Sequence, residues 1–166
     1  LYVNTEGPYV GTEVVLRDGR REVGRTKARL ASLGATDFLF GVVAGSPSAY
    51  NVLSEVDPAN GVAVVAELDL SQIPDNARAM SALDALVFSD VDTGVLTPGQ
   101  TAALKAWVSA GGTLLVAGGS SWQKTAAGLN GLLPLTPTGT TPLGDLNSLA
   151  RFAGADLVFT ESVEAP

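Results

Sequence analysis

Five short apolar runs, separated from one another by helix signals, constrain the fold of this chain more than any other feature. They cover residues 38–43, 62–66, 85–88, 113–117 and 156–159. Strands that are apolar on both faces are typical of the centre of a parallel sheet, where helices cover each side. The runs therefore predict a mostly parallel sheet over the larger, C-terminal part of the chain.

The signals between the runs predict the helices that connect them. Ser46 followed by Pro47 is a typical helix start, and Asp57-Pro58 then ends that helix. Asp75 can cap a further short segment that ends near residue 83.

The clearest helix signal is a capping box, in which Thr97 and Gln100 can satisfy each other's backbone donors and Pro98 takes the first helical position. Gly111-Gly112 ends this helix. At helical spacing, its buried stripe consists of Leu104, Trp107 and Val108. A last helix opens at Asp145 and ends at Gly154, and its inward residues are Leu146, Leu149 and Ala150.

Alternating strands and helices with short links predict a doubly wound, flavodoxin-like α/β fold of three layers over residues 35–166.

We expect residues 1–34 to form a separate β segment. In it, residues 13–17 and 22–29 flank the turn signal Asp18-Gly19, which predicts a β-hairpin. Residues 1–3 can form another strand, at the end of a preceding β domain. Residues 136–144 are rich in proline, threonine and glycine, so we expect a loop there. Because the chain starts at Leu1 and stops abruptly at Pro166, we expect it to be a piece of a longer protein.

The 166 residues include no cysteine and no histidine, which excludes disulfides, thiolate metal sites and histidine-relay catalysis. The net charge is −7, and six of the ten basic residues lie between Arg17 and Arg29. We interpret this stretch as the solvated face of the hairpin and expect no nucleic-acid partner, which would need a larger basic surface. The uncharged window at residues 106–123 is too short and too polar for a membrane span.

The carboxyl ends of the strands are where a doubly wound sheet binds ligands. We expect residues 44–46, 89–92 and 118–121 at that edge, and the ligand-binding candidates there are Ser46, Asp90, Asp92, Ser120 and Ser121. Asp90 and Asp92 can hold a hard cation such as Mg²⁺. The alternative, which we favour because no further acids lie nearby, is that they accept backbone hydrogen bonds in the turn. We expect no cofactor.

The glycine-rich segment at residues 118–125 allows three sharper hypotheses. It approaches a phosphate-binding loop, but Gln123 stands where the second glycine is needed. Ser121 and Lys124 have the Ser-x-x-Lys spacing without its companion motifs. Ser120 or Ser121 can occupy a nucleophile elbow, which normally needs a histidine as base. We favour a tight glycine turn in which a serine caps the next helix, with Trp122 either at the rim of a pocket or in simple packing.

The middle of the chain resembles class I glutamine amidotransferase-like domains. The resemblance lies in residues 82–92, 96–100 and 106–119, which include Trp107-Val108 and two glycine pairs. They are most similar to the non-catalytic versions in uncharacterised bacterial membrane-associated proteins, where a β domain precedes the α/β module and transmembrane helices follow. The resemblance extends over roughly residues 36–160 and includes residues 132–135. In the catalytic members a cysteine at the elbow works with a histidine and an acid, and here the turn at residues 118–121 takes the place of that cysteine.

The resemblance implies the fold but no catalytic residues, since their counterparts are missing from this chain. We therefore expect a non-catalytic domain of an envelope protein, in an extracytoplasmic setting, used for ligand sensing, protein contact or structural support. The alternative is a hydrolase of an unanticipated type at Ser120 or Ser121, or a metal-assisted reaction at Asp90 and Asp92. An apolar pocket on which Ser46, Asp90 and Ser120 converge would favour binding or catalysis.

Overall fold

A computed structural model describes residues 12–28, 33–155, 158, 160 and 162–165. Its first element is the predicted hairpin, in which β1 (Thr12–Asp18) and β2 (Arg21–Ala28) pair antiparallel. Gly19 has a φ of +59°, a conformation that glycine adopts without steric cost, and this permits the tight turn. The strand predicted at residues 1–3 lies outside the described residues.

The predicted parallel sheet is confirmed for four of the five apolar runs. β3 (Phe38–Ala44), β4 (Ala63–Glu67), β5 (Ala85–Ser89) and β6 (Thr113–Val116) are all parallel and lie in the order β4-β3-β5-β6. The fifth run, residues 156–159, lies outside the described residues except for Val158, which is not in a strand.

The helix α1 (Pro98–Ser109) begins at the predicted capping box and connects β5 to β6. Thr97 Oγ1 accepts a hydrogen bond from the Gln100 N–H at 3.2 Å, and Gln100 Oε1 accepts one from the Thr97 N–H at 2.9 Å. Leu104 and Trp107 are buried, as the helical spacing predicts, and Val108 is half-buried.

The sheet has an apolar layer on each face, because alternate strand residues point to opposite sides. On one face Val43, Leu86 and Phe88 pack in a core cluster with Leu104 and Trp107 of α1. On the other face, Phe40, Ala63 and Ala85 form a second cluster, against which Leu53 packs from the segment between β3 and β4. The sheet is thus flanked on both faces by helical segments, as predicted.

Two connections that the sequence predicts as helices are 3-10 helices in the structure. The segment after Ser46 is the 3-10 helix Pro47–Glu55, and the N-cap of the next one, Ala77–Met80, is Asn76 rather than the predicted Asp75. The Asn76 side chain accepts a hydrogen bond from the Arg78 N–H at 3.0 Å. Aspartate and asparagine cap equally well, so two of them in a row leave the start of the helix undecided. Shorter 3-10 turns lie at Leu70–Gln72 and Thr93–Val95.

Two short helices follow the sheet: α2 (Trp122–Ala127) and α3 (Asn147–Phe152). At α3 the Asp145 carboxylate accepts a hydrogen bond from the Asn147 N–H at 2.9 Å, and Gly154, with a φ of +66°, ends the helix as predicted. The predicted inward face is right for Ala150, which is buried, and wrong for Leu149, which is 60% exposed. A helix of six residues is too short to give a reliable stripe.

The loop predicted at residues 136–144 contains a strand. β7 (Thr141–Leu143) pairs antiparallel with β8 (Val163–Ala165). All three side chains of β7 are exposed and one is a proline, so no apolar alternation marks the strand in the sequence. Its pairing depends on a partner twenty residues away, which a local pattern does not reveal.

Candidate functional site

The carboxyl edge of the sheet has a topological switch point between β3 and β5. From β3 the chain continues to β4 on one side, whereas β5 continues to β6 on the other side. The Gly45 N–H donates a hydrogen bond to the Ser89 carbonyl at 3.0 Å, and the Ala117 N–H donates one to the Phe88 carbonyl at 2.9 Å. The three segments predicted at this edge therefore do lie side by side, where ligands bind in doubly wound sheets.

Asp90 has a strained backbone at this switch point. Its φ of +52° is in the left-handed region, and it is the one non-glycine residue with a positive φ in the described part of the chain. Its exposed carboxylate has no hydrogen-bond partner among the described residues. A Cβ on Gly45 would lie 3.2 Å from Asp90 Oδ2 and 3.1 Å from the Asp90 carbonyl oxygen, so glycine at position 45 allows the two segments to approach. Aspartate tolerates this region better than most residues, yet strain of this kind is concentrated at functional sites.

Asp92 has the structural role predicted for it, as an acceptor of a backbone hydrogen bond in the turn. It is the N-cap of the 3-10 helix Thr93–Val95, and its Oδ1 accepts a hydrogen bond from the Gly94 N–H at 2.9 Å. The two aspartates thus differ, since one is engaged by the turn and the other is not. Among the described residues, no group of three or more acidic side chains is close enough together to hold a metal ion.

Ser46 is exposed at the start of the 3-10 helix Pro47–Glu55. It stands at the predicted N-cap position, but its hydroxyl makes no capping hydrogen bond there. The contact with the helix is made by its backbone carbonyl, which accepts from the Ala49 N–H at 3.2 Å.

The glycine turn after β6 brings Ser120 and Ser121 to the start of α2. Ser121 is the N-cap, and its carbonyl accepts hydrogen bonds from the N–H groups of Lys124 and Thr125, both at 3.1 Å. A serine is thus the N-cap of this helix, as predicted, although its hydroxyl makes no capping hydrogen bond. The contact between Ser121 and Lys124 is therefore made by the main chain, which satisfies the helix start without the hydroxyl.

Thr93 connects this region and was not singled out by the sequence. Its fully buried hydroxyl donates to the Thr125 carbonyl at 2.9 Å and accepts from the Gly128 N–H at 2.8 Å. Only glycine fits at position 128, because a Cβ there would lie 2.0 Å from the Thr93 carbonyl oxygen. Thr93 thus attaches the C-terminal end of α2 to the turn that follows β5. A single threonine in a turn gives no signal of this role.

Gln100 is a second polar residue with a role beyond its predicted one. Besides completing the capping box, its Nε2 donates to the carbonyls of Ile73 at 2.8 Å and Leu70 at 3.1 Å. It therefore attaches the start of α1 to the segment that follows β4.

The opposite, amino edge of the sheet has its own carboxylate contacts. Asp37 accepts hydrogen bonds from the N–H groups of Val62 at 3.0 Å and Gly34 at 2.6 Å. These two bonds, the one from Val62 more than the one from Gly34, hold the pKa of Asp37 below its usual range. In the hairpin, Arg25 contacts Glu22 at 2.8 Å and Glu13 at 2.6 Å, and the bond from Arg25 lowers the pKa of Glu22.

Trp122 lies at the rim of two cavities, which supports one of the two interpretations of this residue. One cavity, of 310 Å³, runs along β6, and the other, of 260 Å³, lies beyond α2. The indole Nε1 is buried and has no hydrogen-bond partner in the described structure. Two further cavities, of 640 and 500 Å³, lie beside the N-terminal and C-terminal ends of α1. Ser46, Asp90 and Ser120 line none of these four cavities, so the described cavities do not include a pocket on which they converge.

Comparison of the chain with protein-family models, with curated proteins and with solved structures finds no match. In the described ranges, none of the helices combines the length and the apolar character that a membrane span requires.

Proposed function

We propose that residues 35–166 form a non-catalytic, glutamine amidotransferase-like α/β domain of a larger bacterial envelope protein, and that the domain serves protein interaction. The order β4-β3-β5-β6, with a switch point between the two central strands, supports the flavodoxin-like layering that this proposal includes. The membrane-associated, extracytoplasmic setting rests on the sequence resemblance.

The proposal rests on the surroundings of Ser120 and Ser121, the two serines in the turn that follows β6. A serine nucleophile needs a general base within hydrogen-bond reach, about 2.6–3.2 Å. The hydroxyls of Ser120 and Ser121 make no hydrogen bond to a side chain in the described structure, and Lys124 contacts Ser121 through the main chain. Together with the lack of histidine and cysteine in the sequence, this supports a non-catalytic role for the turn that follows β6.

The test is hydrolysis of glutamine and of activated esters by the purified chain and by Ser120→Ala and Ser121→Ala. We expect no turnover above the buffer rate for any of the three proteins. Ser109→Ala is the matched control, since Ser109 is exposed at the far end of α1. A turnover that either strand-end variant abolishes and the control retains would overturn the proposal.

A second candidate function is ligand or cation binding at Asp90, which its strained backbone and unengaged carboxylate favour. Titration with Mg²⁺ or Ca²⁺ followed by thermal unfolding tests it, because a ligand that binds only the folded state raises Tm. In that case Tm would rise for the wild type and for Asp57→Asn, which alters another exposed acid, but not for Asp90→Asn. An equal response of all three proteins would exclude binding at Asp90.

A further inference from the structure

The 310 Å³ cavity beside Trp122 has the shape of a groove along the edge of a strand. Its first wall is made of five consecutive residues, 114–118, of which the first three belong to β6 and the last two follow it. Because successive side chains of a strand point to opposite faces, a cavity on one face would touch only every second residue. A lining of consecutive residues therefore places the cavity along the edge of β6, which is the last strand of the described sheet.

On this side, the backbone of β6 has hydrogen-bonding groups that pair with none of the described strands. The N–H groups of Thr113 and Ala117 donate to carbonyls on the β5 side, at 3.1 and 2.9 Å. Since successive N–H groups of a strand point to opposite sides, those of Leu114 and Val116 point away from β5. The edge thus offers the donors and acceptors that a further strand would use.

The remaining walls of the groove are apolar. They consist of Trp122 and Ala126 of α2 and of a second group of residues, Leu133, Pro134, Leu135 and Pro137. Leu115 of β6 is 44% exposed and Leu135 is 65% exposed, so large aliphatic side chains are uncovered on both walls.

The indole of Trp122 independently indicates an occupant. Its Nε1 is inaccessible to solvent and has no hydrogen-bond partner in the described structure. A buried donor of this kind is costly unless an acceptor reaches it, and most such groups in native proteins are paired. A backbone carbonyl of a chain lying along the groove would supply the acceptor once the indole turns to face it.

The charge distribution selects the chemistry of the occupant. Residues 93–144 contain no aspartate or glutamate and only two basic residues, Lys105 and Lys124, although the chain has 17 acidic residues in all. The groove lies within this stretch, so neither a strongly acidic nor a strongly basic segment finds complementary charges there. A second copy of the chain is disfavoured as well, because each copy has a net charge of −7 and the two would repel each other.

We infer that the edge of β6 is a docking site for an extended, uncharged, apolar segment of a partner protein, which adds to the sheet as a further strand. This mode of recognition takes its affinity from main-chain hydrogen bonds and its selectivity from the pockets for alternate side chains. The inference rests on the proposed interaction role and names the class of partner.

The experiment uses a fluorescein-labelled peptide of alternating valine and threonine, with an acetylated N-terminus and an amidated C-terminus, in fluorescence anisotropy with the purified chain. Leu115→Lys puts a charge on the groove wall, and we expect it to weaken binding at least tenfold. Trp122→Phe removes the indole donor and should weaken binding about threefold to tenfold. Val52→Lys is the matched control, because Val52 is also an exposed aliphatic residue, 60% exposed, but lies between β3 and β4; its affinity should equal that of the wild type.

Two further measurements keep the result interpretable. Alternate N-methylation of the peptide backbone removes its donors and should abolish binding, whereas retained affinity would show that the peptide does not pair as a strand. Hydrogen exchange of the Leu114 and Val116 amides should be fast in the free chain and slow with the peptide. Protection of these amides in the free monomer, or a concentration-dependent dimer that Leu115→Lys abolishes, would overturn the inference, since the edge would then be covered by the chain itself or by a second copy.

The failure of this inference is distinguishable from the failure of the proposed function. Turnover that depends on Ser120 or Ser121 would contradict a non-catalytic domain and would leave the peptide affinity unchanged. Absence of peptide binding, or equal binding to Leu115→Lys and the wild type, would overturn the docking site and say nothing of turnover.

Discussion

Thr93→Val isolates the contribution of one buried hydroxyl to the stability of the domain. Thr93 is fully buried, and its Oγ1 makes hydrogen bonds of 2.9 Å to the Thr125 carbonyl and 2.8 Å from the Gly128 N–H. Valine has nearly the same shape, so no cavity forms, but the half-buried Gly128 N–H loses its 2.8 Å bond to Thr93 Oγ1 and keeps only the Ala126 carbonyl as acceptor. A buried donor left without a partner costs about 1–3 kcal/mol, and the Thr125 carbonyl adds a similar, smaller cost. The methyl group that replaces the hydroxyl returns about 0.8 kcal/mol.

We therefore expect Thr93→Val to lower the free energy of unfolding by about 1–3 kcal/mol, which is a substantial part of the 5–15 kcal/mol typical of a domain. Urea denaturation followed by circular dichroism measures it, and Tm should fall by about 5–10 °C. Thr93→Ser retains the hydroxyl and should recover much of the loss. Thr101→Val is the matched control, because Thr101 is half-buried in α1 and its hydroxyl makes no hydrogen bond to described residues. A loss for Thr93→Val no larger than that of the control would refute the reasoning.

Three other substitutions test separate parts of the structure. Asp37→Asn should destabilise the chain at neutral pH. The pKa of Asp37 is lowered in the folded state, so the stability that its carboxylate contributes is complete above the usual pKa of about 4 and is lost as the pH falls through the lowered value. The urea midpoints of the wild type and Asp37→Asn should therefore converge at acidic pH. A difference that stays constant with pH would contradict this. Gln100→Glu replaces an amide donor that faces two carbonyls and should cost about 1–3 kcal/mol in urea unfolding, whereas Gln123→Glu, at an exposed position of α2, should cost less than about 0.5 kcal/mol. Asp90→Gly relieves a positive φ and should leave the stability unchanged or raise it by up to about 1 kcal/mol, while Asp90→Ala should lower it by about 1 kcal/mol; the reverse order in urea unfolding would show that the backbone at residue 90 is not strained.

The sheet and α1 could be predicted because their signals are local and strong. An uninterrupted apolar run such as residues 85–88 indicates a buried strand without reference to any partner, and β5 is buried at four of its five positions. The capping box at Thr97 and Gln100 likewise consists of residues three positions apart that contact each other. In both cases, the interactions that decide the structure lie within a few residues of one another.

The contacts that organise the site could not be predicted, because they join residues far apart in the sequence. Thr93 meets Thr125 and Gly128, and Gln100 meets Leu70 and Ile73, across separations of 27 to 35 residues. A threonine or a glutamine has the same appearance in the sequence whether its polar atoms are solvated or buried against a distant backbone. Ser46 and Ser121 are the N-cap residues, as predicted, but the sequence does not reveal how they cap: at both, the main-chain carbonyl accepts the hydrogen bonds that begin the helix, and the hydroxyl takes no part.

The difference between β5 and β6 links the fold to the proposed interaction. Both strands come from apolar runs of the same kind, which predict central positions, yet β6 alternates between exposed and half-buried residues and has no neighbour beyond it among the described strands. An apolar edge strand exposes donors, acceptors and aliphatic side chains that proteins usually protect with charges, prolines or a covering segment. Here the wall at residues 133–137 has prolines but no charge. The sequence of β6 therefore suits a strand with neighbours on both sides, and the structure describes a neighbour on one side only. A partner segment along the groove would satisfy the backbone of β6 and the Trp122 donor with the same set of contacts.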